Sequence, residues 1–328
     1  MLSAAESTRR ISAAAIRSFM TDAMRACGLP QADAATVAGA MLDADLSGSD
    51  AHGIFRLAGY VRLLKRGHFN PRADIRVLER SPATALVDGD NGMGHLVMTY
   101  AASPLEHGMV GIYSAVSASN FMAPWGGAEP LLGTNPIAVA IPAGQEAPVV
   151  LDIATSVASN GAIQTHAREG RPLPEGWVIS REDGKPITDG RRLAEGIFVP
   201  VGDYKGSGLA LVLGLLGGPL NRAAFGRDVK DTNAEQARET NTGQFIIALD
   251  VARFLPLAAF TAEIDRHVRD LGSSARLPGV DEIRIPGQGR LARRADREHS
   301  GVPLSETLLK QLADVAKSLT IAPLTERA

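Results

Sequence analysis

Apolar positions near the start of the chain recur at helical spacing. Ile11, Ala15, Ile16, Phe19 and Met20 mark one face before Gly28-Leu29-Pro30 interrupts it. An Ala-rich stretch then predicts a second helix to Leu46. Ser47-Gly48-Ser49-Asp50 is a polar break with cap candidates. Ile54, Leu57, Ala58, Val61 and Leu64 repeat at helical spacing beyond it, so a third helix is expected from near Ala51. From Ala83 the texture changes to short apolar runs that read as strands: Ala85 to Val87, Val110 to Tyr113, Ile137 to Ile141, Val149 to Ile153 and Phe245 to Leu249. Glycine-rich turns lie between them at Asp88 to Gly94, Gly126-Gly127 and Gly202 to Gly208, where backbone can approach a ligand closely. After Asp250 helical spacing returns, first with Phe260, Ile264, Val268 and Leu271, then with Ser305 capping a stripe from Leu308 to Leu319. The pattern divides the chain into an N-terminal helical lobe (1–82), a strand-rich binding lobe (83–250) and a C-terminal helical segment (251–328) that returns to the first lobe.

Composition narrows the function. The 328 residues are 45% hydrophobic and 21% charged, with a formal net charge of -2, enough to bury a large core. Aromatics make up 5% and no long Lys or Arg block occurs, which speaks against a nucleic-acid surface and for a small soluble substrate. A single cysteine, Cys27, allows no intramolecular disulfide and no cysteine metal cage, and fits the reducing cytoplasm. The apolar run Leu209 to Leu220 is too short for a bilayer, which needs about 20 residues, and no apolar signal core follows Met1. His68, His95, His107 and His166 show no paired ligand spacing, so no metal is expected.

Three segments carry candidate chemistry. In Asp50-Ala51-His52-Gly53-Ile54-Phe55-Arg56, His52 and Arg56 stand four apart at the start of the third predicted helix, hence on one face. Reducing a 2-oxo acid needs a proton donor for the developing alkoxide and a planar cation for the carboxylate, which His and Arg supply. The same pair also suits a packed or capping His52 and an Arg56 that meets a surface acid. Leu151 to Ser156 is an apolar strand ending in Asp152, Thr155 and Ser156; Asp152 could orient an imidazole or cap the next helix. Gly202-Asp203-Tyr204-Lys205-Gly206-Ser207-Gly208 feeds an apolar run read as a buried helix. Its backbone N–H groups and Lys205 could receive phosphate, or it could be a plain tight turn. No Walker triplet closes it, and no Rossmann glycine fingerprint follows a first strand.

Taken together, these segments resemble the L-malate/L-lactate dehydrogenase family, which also holds ureidoglycolate, sulfolactate and diketogulonate oxidoreductases and the piperideine-2-carboxylate and pyrroline-2-carboxylate reductases. The resemblance runs over nearly the whole chain. It rests on Ala44-Asp45-Leu46 before His52-Gly53 and Arg56, Asp88 to His95, Met122 to Gly127, Leu132 to Pro136, Leu151 to Ser156, Pro174 to Trp177, Gly184-Lys185-Pro186, Tyr204-Lys205-Gly206 and Asn241-Thr242-Gly243. It implies an α/β fold, with a mixed, largely antiparallel sheet in a non-Rossmann dinucleotide-binding lobe and a second lobe of N- and C-terminal helices. It also implies a homodimer, NAD or NADP as cofactor, and hydride transfer to a small 2-oxo acid or cyclic 2-imino acid. On that reading His52 is the proton donor supported by Asp152, Arg56 holds the substrate carboxylate, and Thr134, Asn135, Thr155, Ser156, Lys205 and Gly206 line the cofactor or substrate pocket.

The chain departs from the family pattern in four places. Ala51 stands where the family has Ser, Ser47 where a longer residue is common, and Gln244 where a His usually follows Asn-Thr-Gly. Between Gly94 and Met122 a helix and a strand ending in an Asn-Ser-Asn-His-Phe-Gly-like motif are missing, a deletion of roughly 30 residues, comparable to one helix plus one strand. The segment Ala101 to Ile112 joins directly to what should follow, and His107 does not replace the lost His, since Glu106-His107-Gly108 resembles an ordinary helix end. Two readings follow: an active reductase, or a catalytically impaired relative that retains the dimer scaffold.

Overall fold

Breaks in the apolar pattern become the bends of the chain. A computed structural model describes residues 8–99, 104–231 and 241–327. Its first elements are β1 (Thr8–Ile11), α1 (Ala13–Ala26), α2 (Gln31–Ser47), α3 (Leu57–Lys65), β2 (Arg76–Arg80), β3 (Ala85–Asp88), α4 (Gly94–Thr99), β4 (Met109–Ala115), β5 (Ile137–Ile141) and β6 (Val149–Ile153). There follow α5 (Asn160–Arg168), β7 (Val178–Ser180), β8 (Gly196–Phe198), α6 (Tyr204–Gly217), β9 (Gln244–Asp250), α7 (Leu257–Gly272), α8 (Gln288–Ser300), β10 (Val302–Ser305) and α9 (Glu306–Leu319). Gly28, at φ 101°, separates α1 from α2 in a conformation that costs other residues a steric penalty.

The chain forms two compact units, one from residues 1–102 with 287–328, the other from 103–286. In the first, β1 and β10 pair antiparallel, Thr8 opposite Ser305 and Ile11 opposite Val302. The pairing brings α1 and α9 together, each opened by a serine cap. Ser12 Oγ accepts the Ala15 N–H and Ser305 Oγ the Leu308 N–H, both at 3.2 Å. Ile16, Phe19, Met20, Met24, Met41 and Leu312 fill the core at 0% exposure. The apolar stripe read from the sequence is therefore what the helices bury.

The second unit is built on a four-stranded sheet of order β6-β5-β4-β9, every pair antiparallel. Four of the five expected strands form this sheet, and the fifth, β3, pairs with β2 in the first unit. A separate core gathers Met122, Leu132, Ile163, Leu173, Val178, Ile187 and Phe198 under α5, α6 and the β7-β8 hairpin. The Asp265 carboxylate of α7 accepts the amides of Gly144, Gln145 and Glu146 at 2.8–3.1 Å, which holds that helix to the turn after β5. The compact units thus divide near residues 102 and 286, against the expected 82 and 250. No helix among the described residues is long and apolar enough to cross a membrane.

Several elements lack an apolar pattern and were not expected. Strand β1 is Thr-Arg-Arg-Ile, and α8 carries four arginines in thirteen residues. Helix α8 is anchored by charge: Arg294 reaches Asp43 at 2.9 Å, Arg293 the Ser47 carbonyl at 3.3 Å, and Arg297 the Asp50 carboxylate. The core, by contrast, depends on apolar volume. Phe19→Ala should cost about 3–5 kcal/mol, read as a lower urea midpoint at unchanged slope.

Candidate active site

In the first unit the expected helix from Ala51 is replaced by two 3-10 turns, Asp50–His52 and Ile54–Arg56, ahead of α3. They are separated by Gly53 at φ -87° and ψ -146°. His52 and Arg56 therefore sit on different turns, and the one-face argument, which needs a continuous α-helix, does not hold. The cause lies beneath the loop. Asp45, 1% exposed in the last turn of α2, accepts the Ile54 N–H on Oδ2 at 2.9 Å. A Cβ on Gly53 would fall on Asp45 Oδ1, so the site admits only glycine. Burial pushes the Asp45 carboxyl up to about 7; the Ile54 N–H opposes this, Asp50 adds to it and Arg297 opposes it.

Aromatic packing completes this cluster. The Arg56 guanidinium lies 5.7 Å from the Tyr60 ring centroid, within reach of a cation–π contact. His95 at the start of α4 meets the same ring edge-on at 5.5 Å. Burial, followed by the positive charges of His52 and Arg56, lowers the His95 imidazole to about 4. His52, Arg56, Tyr60 and His95 thus form one cluster. His107 ends an exposed turn closed by Gly108 at φ 67°, and Ala101 to Ser103 lie outside the described residues.

The second unit holds the other candidates. Asp152 is exposed near the end of β6, in register with Ala138 of β5, which in turn faces Tyr113 of β4. The three share a sheet face. Burial, and then the charge of Asp152, push the Tyr113 hydroxyl above its ordinary value.

Thr134, Asn135, Thr155, Ser156 and Gly206 meet at one crossing. The Thr155 N–H and hydroxyl both donate to the Thr134 carbonyl at 3.0 Å. Fully buried Asn135 accepts the Ser117 N–H at 3.1 Å and donates to the Ala210 carbonyl of α6 at 2.8 Å. Ser156 Oγ donates to the Ala158 carbonyl at 2.7 Å. A Cβ on Gly206 would lie 2.7 Å from the Thr155 carbonyl, so α6 approaches this strand end through a glycine. Lys205 is exposed in the first turn of α6, after Asp203, which holds a left-handed φ of 59°. Helix α6 is not the fully buried helix expected: Ala210, Leu213, Gly214 and Gly217 face inward, while Leu209, Leu211, Val212 and Leu215 are 42–53% exposed. Apolar residues all round the helix read as burial in sequence, but the packed face consists of small residues with Leu213 as its one large side chain.

Asp45 and Tyr60 were not singled out from sequence as site residues, nor was Tyr113. Asp45 was legible only as part of the Ala44-Asp45-Leu46 marker, and His95 only as the end of the glycine-rich segment. Among the described residues, no group of three His, Cys, Asp or Glu side chains could hold a metal ion.

The family model for malate/L-lactate dehydrogenase matches residues 11–105 and 96–313. The chain belongs to this family. It is 31% identical to a malate dehydrogenase of Pyrococcus horikoshii over 342 positions, covering 93% of this chain and 94% of that one. It is 32% identical to an L-sulfolactate dehydrogenase of Methanocaldococcus jannaschii, covering 92% and 95%. The crystal structure of malate dehydrogenase from Entamoeba histolytica superposes with a TM-score of 0.91 at 25% identity, over 96% of this chain and 99% of that one. The family match comes in two pieces that meet at residues 96–105. The Pyrococcus alignment has 342 positions against about 305 residues of this chain (93% of 328), which leaves about 37 positions facing a gap here.

The state of His95 sets an acid dependence. The unfolded chain takes up a proton near 6.5 and the folded one near 4, so the contribution is complete above 6.5 and is lost as pH falls toward 4. Urea unfolding at pH 7 and at pH 4.5 should differ by about 2–3 kcal/mol from this group, and His95→Gln should remove that part of the difference.

Proposed function

We propose that the chain is an NAD(P)H-dependent oxidoreductase that transfers a hydride between nicotinamide and a small 2-oxo or 2-hydroxy acid, or a cyclic 2-imino acid. Family membership supports the class. The observation that carries the reading is the grouping of an imidazole and a guanidinium on the adjoining turns Asp50–His52 and Ile54–Arg56. Nicotinamide, when bound, supplies the hydride. His52 gives the proton that the substrate oxygen or nitrogen gains, and Asp152 is kept as the second unit's candidate catalytic carboxylate. Arg56 holds the substrate carboxylate through paired N–H donors, its guanidinium stacked on Tyr60.

The residues present fit a dinucleotide. The first turn of α6 offers exposed Lys205 and a positive helix end for phosphate, and a Cβ on Gly208 would meet nothing within 4 Å. Asn135, Thr155 and Ser156 are buried with their polar groups engaged, which suits them to shape this wall; Thr134 and Gly206 complete it. The exposed apolar side chains of α6 favour a homodimer, and the lone Cys27 a cytoplasmic setting. We further infer that a family helix-strand unit of roughly 30 residues, about the size of such a unit, is missing next to α4, which the two-piece family match supports.

The test is oxidation of NADH and NADPH with pyruvate, oxaloacetate, phenylpyruvate and the cyclic imino acids. Turnover is expected on at least one substrate. His52→Gln should lower kcat by about 10² or more, and Arg56→Gln should act mainly on the substrate KM. Absence of turnover across the panel, with either coenzyme, would overturn the reading.

A further inference from the structure

A buried carboxylate at the C-terminal end of a helix is held where both desolvation and the helix dipole work against its charge. Asp45 occupies such a place in α2 at 1% exposure. Its neighbours do little to offset that cost. Arg297 of α8 spends its guanidinium on the Asp45 backbone carbonyl and on the Asp50 carboxylate, and Arg293 donates to the Ser47 carbonyl. What the Asp45 side chain does hold is the loop. Oδ2 takes the Ile54 N–H, the first amide of the turn that ends in Arg56, and Oδ1 fills the space a side chain at position 53 would need.

We propose that Asp45 is a positioning residue for the reductase reaction: its carboxylate fixes the Gly53 bend between the turns that carry His52 and Arg56, and so sets the spacing of imidazole and guanidinium. This rests on the reading of His52 and Arg56 given above. Asp45 touches no reacting group. Its contribution is to stop the two turns from merging into one helix or sliding apart. The charged groups that act on it are Asp50 on the first turn and Arg297 on α8. Since its carboxyl is pushed up to about 7, the grip on the Ile54 amide strengthens as the group ionises across neutral pH.

The experiment compares wild type, Asp45→Asn and Asp45→Ala by steady-state kinetics and by NMR of protein with nitrogen-labelled isoleucine amides. Asp45→Ala should lose about tenfold or more in kcat/KM, through both a raised 2-oxo acid KM and a lowered kcat, with NADPH affinity unchanged. Asp45→Asn, which keeps an acceptor for Ile54, should recover most of that loss. In the wild type the Ile54 amide signal should show an inflection near pH 7 that follows Asp45, absent in Asp45→Asn. If Asp45→Ala does not fold, the Asp45→Asn spectrum decides alone. A folded Asp45→Ala with wild-type kcat/KM, or an Ile54 amide titration unchanged by Asp45→Asn, would overturn the proposal. If the wild type turns over no substrate while the inflection still disappears in Asp45→Asn, the positioning role stands and only the reductase reading falls.

Discussion

Four residue pairs between β1 and β10 close a loop of nearly the whole chain. Without them α1 and α2 would present Phe19, Met20 and Met41 to solvent, because α9, which brings Leu312 to the same core, comes from the far end of the sequence. Two strands of four residues each are too short to be stable alone. Their pairing is held by the apolar helices behind them, and the helices are aligned by the pairing. Everything the first unit contributes to a site, from Asp45 to His95, is hung on that arrangement.

The two units use buried polar groups differently. In the second, Asn135 spends both ends of its amide, and Thr155 both of its donors, on neighbouring backbone, so the crossing under α6 is rigid and electrically neutral. The first unit places an acid, a neutral imidazole and a guanidinium near one bend, where burial and mutual charge move the protonation of Asp45 and His95 away from ordinary values. Groups perturbed in this way cluster at functional sites. Within the first unit the perturbed groups gather at the His52 turn, and within the second the α6 crossing holds its polar groups in backbone hydrogen bonds.

Much of this was legible in the residues. Ile137–Ile141 and Val149–Ile153 form strands with the bounds their apolar runs suggest, because a run that alternates onto two half-buried faces leaves little else for the backbone to do. Helix α1 follows from its apolar stripe, α2 from its alanines, and the Gly28 break divides them. What stayed hidden depends on partners distant in sequence. Helix α8 has no apolar face and is held by acids on α2 and the turn after it, and β1 is a strand only because β10 arrives beside it. The split at Gly53 is hidden for the same reason. Local spacing from Ala51 onward favours one continuous helix, and only the Asp45 carboxylate, eight residues back and buried, forbids it. The family markers named His52 and Arg56 without disclosing the bend between them.

The division of the first unit into two sequence segments also dictates an order of assembly. Residues 103–286 leave the ribosome as one uninterrupted stretch and hold their own core and sheet, so they are free to mature as synthesis proceeds. The amino-terminal helices, though made first, must wait for α8, β10 and α9 to emerge before their apolar stripe is covered. During that interval Phe19, Met20 and Met41 are the surface a chaperone would grip, and a pause in translation just before residue 287 would lengthen the chain's most vulnerable moment.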